Sequence, residues 1–65
     1  MQIRVNGKER EVAATTLAAL LDELDYQDVV VATALNQCFV RAVDRNETSL
    51  KAGDAVEILT PKQGG

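Results

Sequence analysis

Thr15-Thr16-Leu17-Ala18-Ala19-Leu20-Leu21-Asp22-Glu23-Leu24 places leucines at 17, 20, 21 and 24. The spacing i, i+3, i+4, i+7 lines one stripe of an α-helix. Either threonine hydroxyl is suited to cap the first free N–H groups. Ala18, Ala19, Asp22, Glu23 and Asp25 lie off the stripe, and the three acids crowd the last turn, where the helix dipole disfavours them. They are expected to form a solvated face, the alternative being a docking patch for a partner with a basic groove.

Upstream, Met1, Ile3 and Val5 alternate with Gln2 and Arg4, the period of a strand buried on one face. Asn6-Gly7 follows, and both residues accept positive φ, so a tight hairpin is expected there. The returning strand, Lys8 to Ala13, offers Val12 and Ala13 to a core. Its Lys8, Glu9, Arg10 and Glu11 suit a sheet edge.

Downstream, Tyr26-Gln27-Asp28 reads as a loop with Tyr26 folded over the helix end. Val29 to Leu35 is β-branched and apolar on both faces, which suggests an interior strand. If Val31, Thr33 and Leu35 face the helix, Ala32 and Ala34 leave a shallow apolar area on the other face. Asn36-Gln37 is expected to turn into a short strand, Cys38-Phe39-Val40. Arg41 to Ala52 is irregular, with Val43 and Leu50 as anchors under the sheet, and Gly53-Asp54 is a turn. Ala55 to Leu59 forms the last strand, with Val56 and Ile58 inward and Glu57 and Leu59 outward. The order β-β-α-β-β-β predicts an α+β fold: one mixed sheet of four or five strands with a single helix across one face.

Beyond Leu59 the pattern stops. Pro61 has no N–H for a ladder, so residues 60–65, Thr60-Pro61-Lys62-Gln63-Gly64-Gly65, are expected to be a flexible tail on a domain of residues 1–59. Fully extended at about 3.4 Å per residue, the tail reaches ~20 Å. Glycines without Cβ thread a narrow active site, and the Gly65 α-carboxylate is then available as a reacting group. Simple fraying is the bland alternative.

Composition narrows the rest. Sixty-five residues make a single domain whose core, with one Phe, one Tyr and no Trp, must be aliphatic. A net charge of −3 and scattered Lys and Arg argue against nucleic acid. The apolar run Val29 to Ala32 is far too short for a membrane span, and the N-terminus lacks a signal-peptide core. One cysteine excludes an internal disulfide and fits a reducing cytosol.

Catalytic signals are weak. Cys38 is expected to be a buried or half-buried small hydrophobe, and without any His no Cys–His or Ser–His arrangement exists. Asp22, Glu23 and Asp25 lack an apolar setting that would raise a pKa. Glycines at 7, 53, 64 and 65 form no phosphate loop, and metal-ligand spacing is absent. The chain is expected to be a carrier or binding module rather than an enzyme, with no metal and no cofactor of its own.

The sequence resembles the thiamine-biosynthesis sulfur carrier family (ThiS), members of the ubiquitin-like β-grasp fold. The resemblance runs through the Met1-to-Asn6 strand, Thr16-Leu17-x-x-Leu20-Leu21-x-x-Leu24, Ala34-Leu35-Asn36-Gln37, Gly53-Asp54-x-Val56-Glu57-Ile58 and the final Gly64-Gly65. It implies that Gly65 is adenylated by an E1-like enzyme that uses ATP, then converted to a thiocarboxylate. A cysteine desulfurase or other donor supplies the sulfur, and thiazole synthase consumes it. Gly64 and Gln63 would thread the partner's active site, while Leu59, Ala32, Ala34 and Phe39 form a candidate docking surface. Lys62 and Gln63 depart from the apolar residues often found there in such carriers. The alternatives are a carrier for molybdopterin, cysteine or tRNA sulfuration, and a non-covalent ubiquitin-like interaction module.

Overall fold

In the computed structural model, which describes residues 1–61, β1 (Gln2–Val5) and β2 (Lys8–Glu11) form the expected hairpin. Asn6 and Gly7 stand at φ 52° and 85°. Positive φ at both central residues gives a two-residue turn the twist of its flanking strands. The same geometry recurs where β3 (Ala32–Leu35) meets β4 (Cys38–Val40), with Asn36 and Gln37 at φ 50° and 72°. With β5 (Ala55–Leu59) the sheet runs β2-β1-β5-β3-β4. The central pair β1 and β5 is parallel and every other pair antiparallel. Charged β2 is an edge and β3 is interior, as their compositions suggest.

Helix α1 (Leu17–Glu23) lies across one face, burying Leu17, Leu20 and Leu21 against Ile3, Val5, Val56 and Ile58. Thr16 is its N-cap, the side-chain oxygen accepting from Ala19 N–H at 3.1 Å. Thr48 carbonyl receives the Leu17 N–H at 2.9 Å, which ties the helix start to the segment before β5. At the other end Asp25 takes φ 68°, with Tyr26 N–H donating to Leu21 carbonyl and Asp25 N–H to Asp22 carbonyl. That pair of bonds is a Schellman closure with aspartate where glycine is usual. Tyr26 packs over the helix end, as expected. A single helix across one mixed five-stranded sheet is the ubiquitin-like β-grasp arrangement.

Four local expectations need correction. Strand β3 begins at Ala32, and only Val31 of the preceding valines is buried. Val29 and Val30 lie in the irregular segment between the helix closure and β3, where Val30 alternates with the buried Val31 and so faces away from the core. Ala14, not Ala13, joins Val12 in the core, because the extended chain past β2 keeps its alternation. Val43 is 74% exposed, so Leu50 alone anchors the 41–52 segment. A 3₁₀ helix (Ala42–Glu47) turns Val43 outward, and its Arg45 reaches inward instead, donating to Val31 carbonyl at 2.7 Å and to the Thr33 hydroxyl at 3.1 Å. Cys38 is exposed, because β4 is the outer edge, past the helix's reach.

The acidic helix end is also more than a wet face. Glu23 accepts from the Ala13 and Ala14 N–H groups at 2.9–3.2 Å, closing the loop between β2 and the helix.

Candidate docking face

The sheet face opposite the helix divides in two. Cross-strand partners share a face, so the register pairs Arg4 with Glu9 and Gln2 with Glu11 on the β1–β2 side. Their polar ends interact, Gln2 Nε2 donating to Glu9 at 3.0 Å and Arg4 lying 3.8 Å from the same carboxylate. On the β5–β3–β4 side the register pairs Ala32 with Leu59, Ala34 with Glu57, and Ala34 with Phe39. Leu59 and Phe39 are 68% and 70% exposed, and the small alanines between them leave a shallow apolar hollow. Local sequence explains it: small residues in β3 leave unfilled the space that the larger side chains on either side overhang.

All four candidate residues, Leu59, Ala32, Ala34 and Phe39, are thus brought together, with Glu57 as the acidic side chain at the hollow's margin. A second hollow adjoins it, lined by Val30, Val31, Ala32, Leu59, Thr60 and Pro61. It lies where the chain leaves β5. Reading Val29 to Leu35 as one buried strand concealed Val30, which is 81% exposed. A cue was present: on a strand covered on one face, only alternate members of Val29-Val30-Val31 reach the core.

Cys38 stands apart from this surface. It pairs with Leu35, on the helix side of the sheet, whereas Phe39 pairs with Ala34 on the opposite side. At the β4 border, Arg41 donates from Nε to Asp44 at 3.0 Å. This hydrogen bond, with the carboxylate's charge, raises the guanidinium pKa. Among the described residues no cluster of His, Cys, Asp and Glu is placed to hold a metal, and no helix is long and apolar enough to cross a membrane. The expectations for Gln63, Gly64 and Gly65, and most of the 60–65 tail, lie outside the described residues.

Residues 3–65 match the ThiS family. The chain is also similar to a solved crystal structure of a thiamine biosynthesis protein (ThiS) from Geobacter metallireducens, at 32% identity and TM-score 0.84, covering all of both chains. No curated protein gives a significant match.

Proposed function

Because the chain belongs to the ThiS family, we propose that it is a thiamine-biosynthesis sulfur carrier whose reacting group is the Gly65 α-carboxylate. The observation that carries this reading is a family match extending through residue 65, so that Gly64-Gly65 fall inside the shared region. The domain of residues 1–59 serves as the handle and residues 60–65 as the tail.

The chemistry follows from the carboxylate. It is a poor electrophile, since its leaving group would be oxide. One of its oxygens attacks the α-phosphorus of ATP held by an E1-like partner, forming the acyl adenylate and releasing pyrophosphate. Sulfide from a donor then displaces AMP to leave a thiocarboxylate directly. A persulfide from a cysteine desulfurase instead displaces AMP to give an acyl disulfide, whose S–S bond a second thiol cleaves, leaving the thiocarboxylate and a new disulfide. Thiazole synthase receives that sulfur. ATP belongs to the activating enzyme, and the chain acts as a co-substrate rather than an enzyme.

Two features of the folded domain support the division of labour. Strand β5 is paired with β3 as far as Leu59, where the chain departs, while β1 pairs with it at Ala55 and Val56 and the Asn6 side chain holds Ile58. The apolar hollow of Leu59, Ala32, Ala34 and Phe39 adjoins that point, so a partner seated on it has the tail beside its own surface. Docking there raises the effective concentration of the carboxylate at the adenylating site.

The test is intact mass after incubation with the E1-like enzyme, ATP, a cysteine desulfurase and cysteine. The expected gain corresponds to replacement of one oxygen by sulfur, located in the C-terminal peptide. Appending a residue after Gly65 should abolish that gain without disturbing the fold. An unchanged mass, with the enzymes active on another carrier, would remove the proposal.

A further inference from the structure

Asn6 does more than turn the hairpin. Its backbone N–H donates to Val56 carbonyl at 2.9 Å, the last backbone bond between the β1 end and β5. Its side chain then continues the ladder: Oδ1 accepts from Ile58 N–H at 2.8 Å and Nδ2 donates to Ile58 carbonyl at 3.2 Å. The primary amide stands in for one more residue of β1. Along a strand, successive residues direct their N–H and C=O groups to opposite sides. Glu57 and Leu59 therefore address β3, their register partners being Ala34 and Ala32, while Ile58 addresses the β1 side. Ile58 is 3% exposed, and its two main-chain groups rely on the Asn6 amide.

The same residue precedes Gly7, and a Cβ built on Gly7 would meet no atom within 4 Å. Asparagine before glycine carries a known chemical liability, because nothing on the following residue shields its main-chain nitrogen; asparagine is among the thermolabile residues for this reason. We propose that Asn6 is a deamidation site that folding holds closed, and that its conversion releases the end of β5.

The reaction balances with water alone. The Gly7 main-chain nitrogen attacks Asn6 Cγ, a C–N bond forms, the Cγ–Nδ2 bond breaks, and ammonia leaves with the displaced proton. Water opens the resulting five-membered imide at either carbonyl, yielding aspartate or isoaspartate. In the folded protein both amide atoms are engaged by Ile58, which holds Cγ in the ladder and away from ring closure. After conversion the donor to Ile58 carbonyl is gone, and an anionic oxygen faces that carbonyl across a partly buried gap. Isoaspartate adds a further methylene to the main chain of a two-residue turn. Either product loosens β5 one residue before Leu59 and the exit of the tail.

The folded chain and the same chain in urea are incubated at equal pH and temperature, and the peptide spanning Asn6-Gly7 is assayed for aspartate and, by isoaspartyl methyltransferase labelling, isoaspartate. Conversion is expected to be at least ~10-fold slower when folded, the suppression given by a local opening free energy of about 1.4 kcal/mol. In urea, Asn6 should react faster than Asn36, whose following Gln37 has a side chain. Equal rates in folded and unfolded chains would overturn the protective role. The release is read by hydrogen exchange at the Ile58 amide in Asn6→Asp, and in the isoaspartate fraction isolated from aged wild-type protein should that variant not fold. Exchange is expected to speed up about tenfold, and unchanged protection would overturn the release.

Discussion

Thr33 is the one buried polar side chain among the described residues, at 2% exposure. It stays satisfied because its hydroxyl donates to Val40 carbonyl at 2.9 Å and accepts from Arg45 Nε at 3.1 Å. A valine has nearly the same shape but neither bond. Thr33→Val is therefore expected to cost about 1–2 kcal/mol, since the Arg45 donor and the Val40 acceptor lose their partner. Urea denaturation measures it, and a neutral or stabilising result would mean that water replaces the hydroxyl. Cys38 is the contrasting residue. It is exposed on the helix side of the edge strand, away from the apolar hollow. Cys38→Ser should leave both stability and sulfur loading unchanged, read by melting temperature and intact mass. Lost loading would give the thiol a role that its position does not suggest.

At the scale of the element, four residues other than glycine carry a left-handed backbone, and two of them, Asp25 and Gln37, are not the asparagines that tolerate it best. Asp25 closes the helix at φ 68°, and its charge sits at the negative end of the helix dipole. Asp25→Gly relieves both penalties and is expected to raise stability by about 0.5–1 kcal/mol, less the entropy glycine adds to the unfolded chain. Gln37, at φ 72° in the second hairpin, invites the same change. Gln37→Gly would give that turn the Asn-Gly pair of the first hairpin, with a gain of similar size. Thermal melts of the two variants settle the matter, and a drop in melting temperature for either would locate an unrecognised contact of the replaced side chain.

For the whole molecule, small size makes each buried leucine costly to lose. Leu20 has no exposed surface, and Leu20→Ala is expected to cost about 2–5 kcal/mol, comparable with the entire stability of a domain this small. Circular dichroism should find a large unfolded fraction at room temperature. The sheet's open face should behave oppositely. Leu59→Thr and Phe39→Thr alter exposed positions, so stability should move by less than about 0.5 kcal/mol. Their cost is expected at the activating enzyme, as a rise in KM of roughly fivefold or more from a lost apolar anchor. Unaltered KM in both variants would move the docking contact elsewhere, the acidic helix end being the next surface to mutate.

Much of this molecule was legible in periodicity and turn chemistry. The leucine stripe places the helix, Asn6-Gly7 and Asn36-Gln37 place the hairpins, and the alternation through Val56 and Ile58 orients the last strand. These are local decisions: each depends on backbone angles and on which side of a strand or helix a residue falls. The ThiS pattern and the Gly64-Gly65 end are likewise properties of the string. Local pattern does not carry the distance from an element to the edge of its cover. Val30, Val43 and Cys38 stay outside for separate reasons: Val30 alternates away from the helix, the 3₁₀ helix turns Val43 outward, and Cys38 lies on the outer edge strand, none of which apolar character alone reveals. Nor does it reveal bonds between residues far apart in the chain. Glu23 at the Ala13 and Ala14 amides, Arg45 at Thr33, and Asn6 at Ile58 arise when separate segments are brought within hydrogen-bond distance. Sequence alone determined the helix and its leucine stripe, the two hairpin turns, the inward face of the last strand and the family. Tertiary structure decided which polar groups meet and which apolar ones stay uncovered, because both depend on the lateral order of the strands.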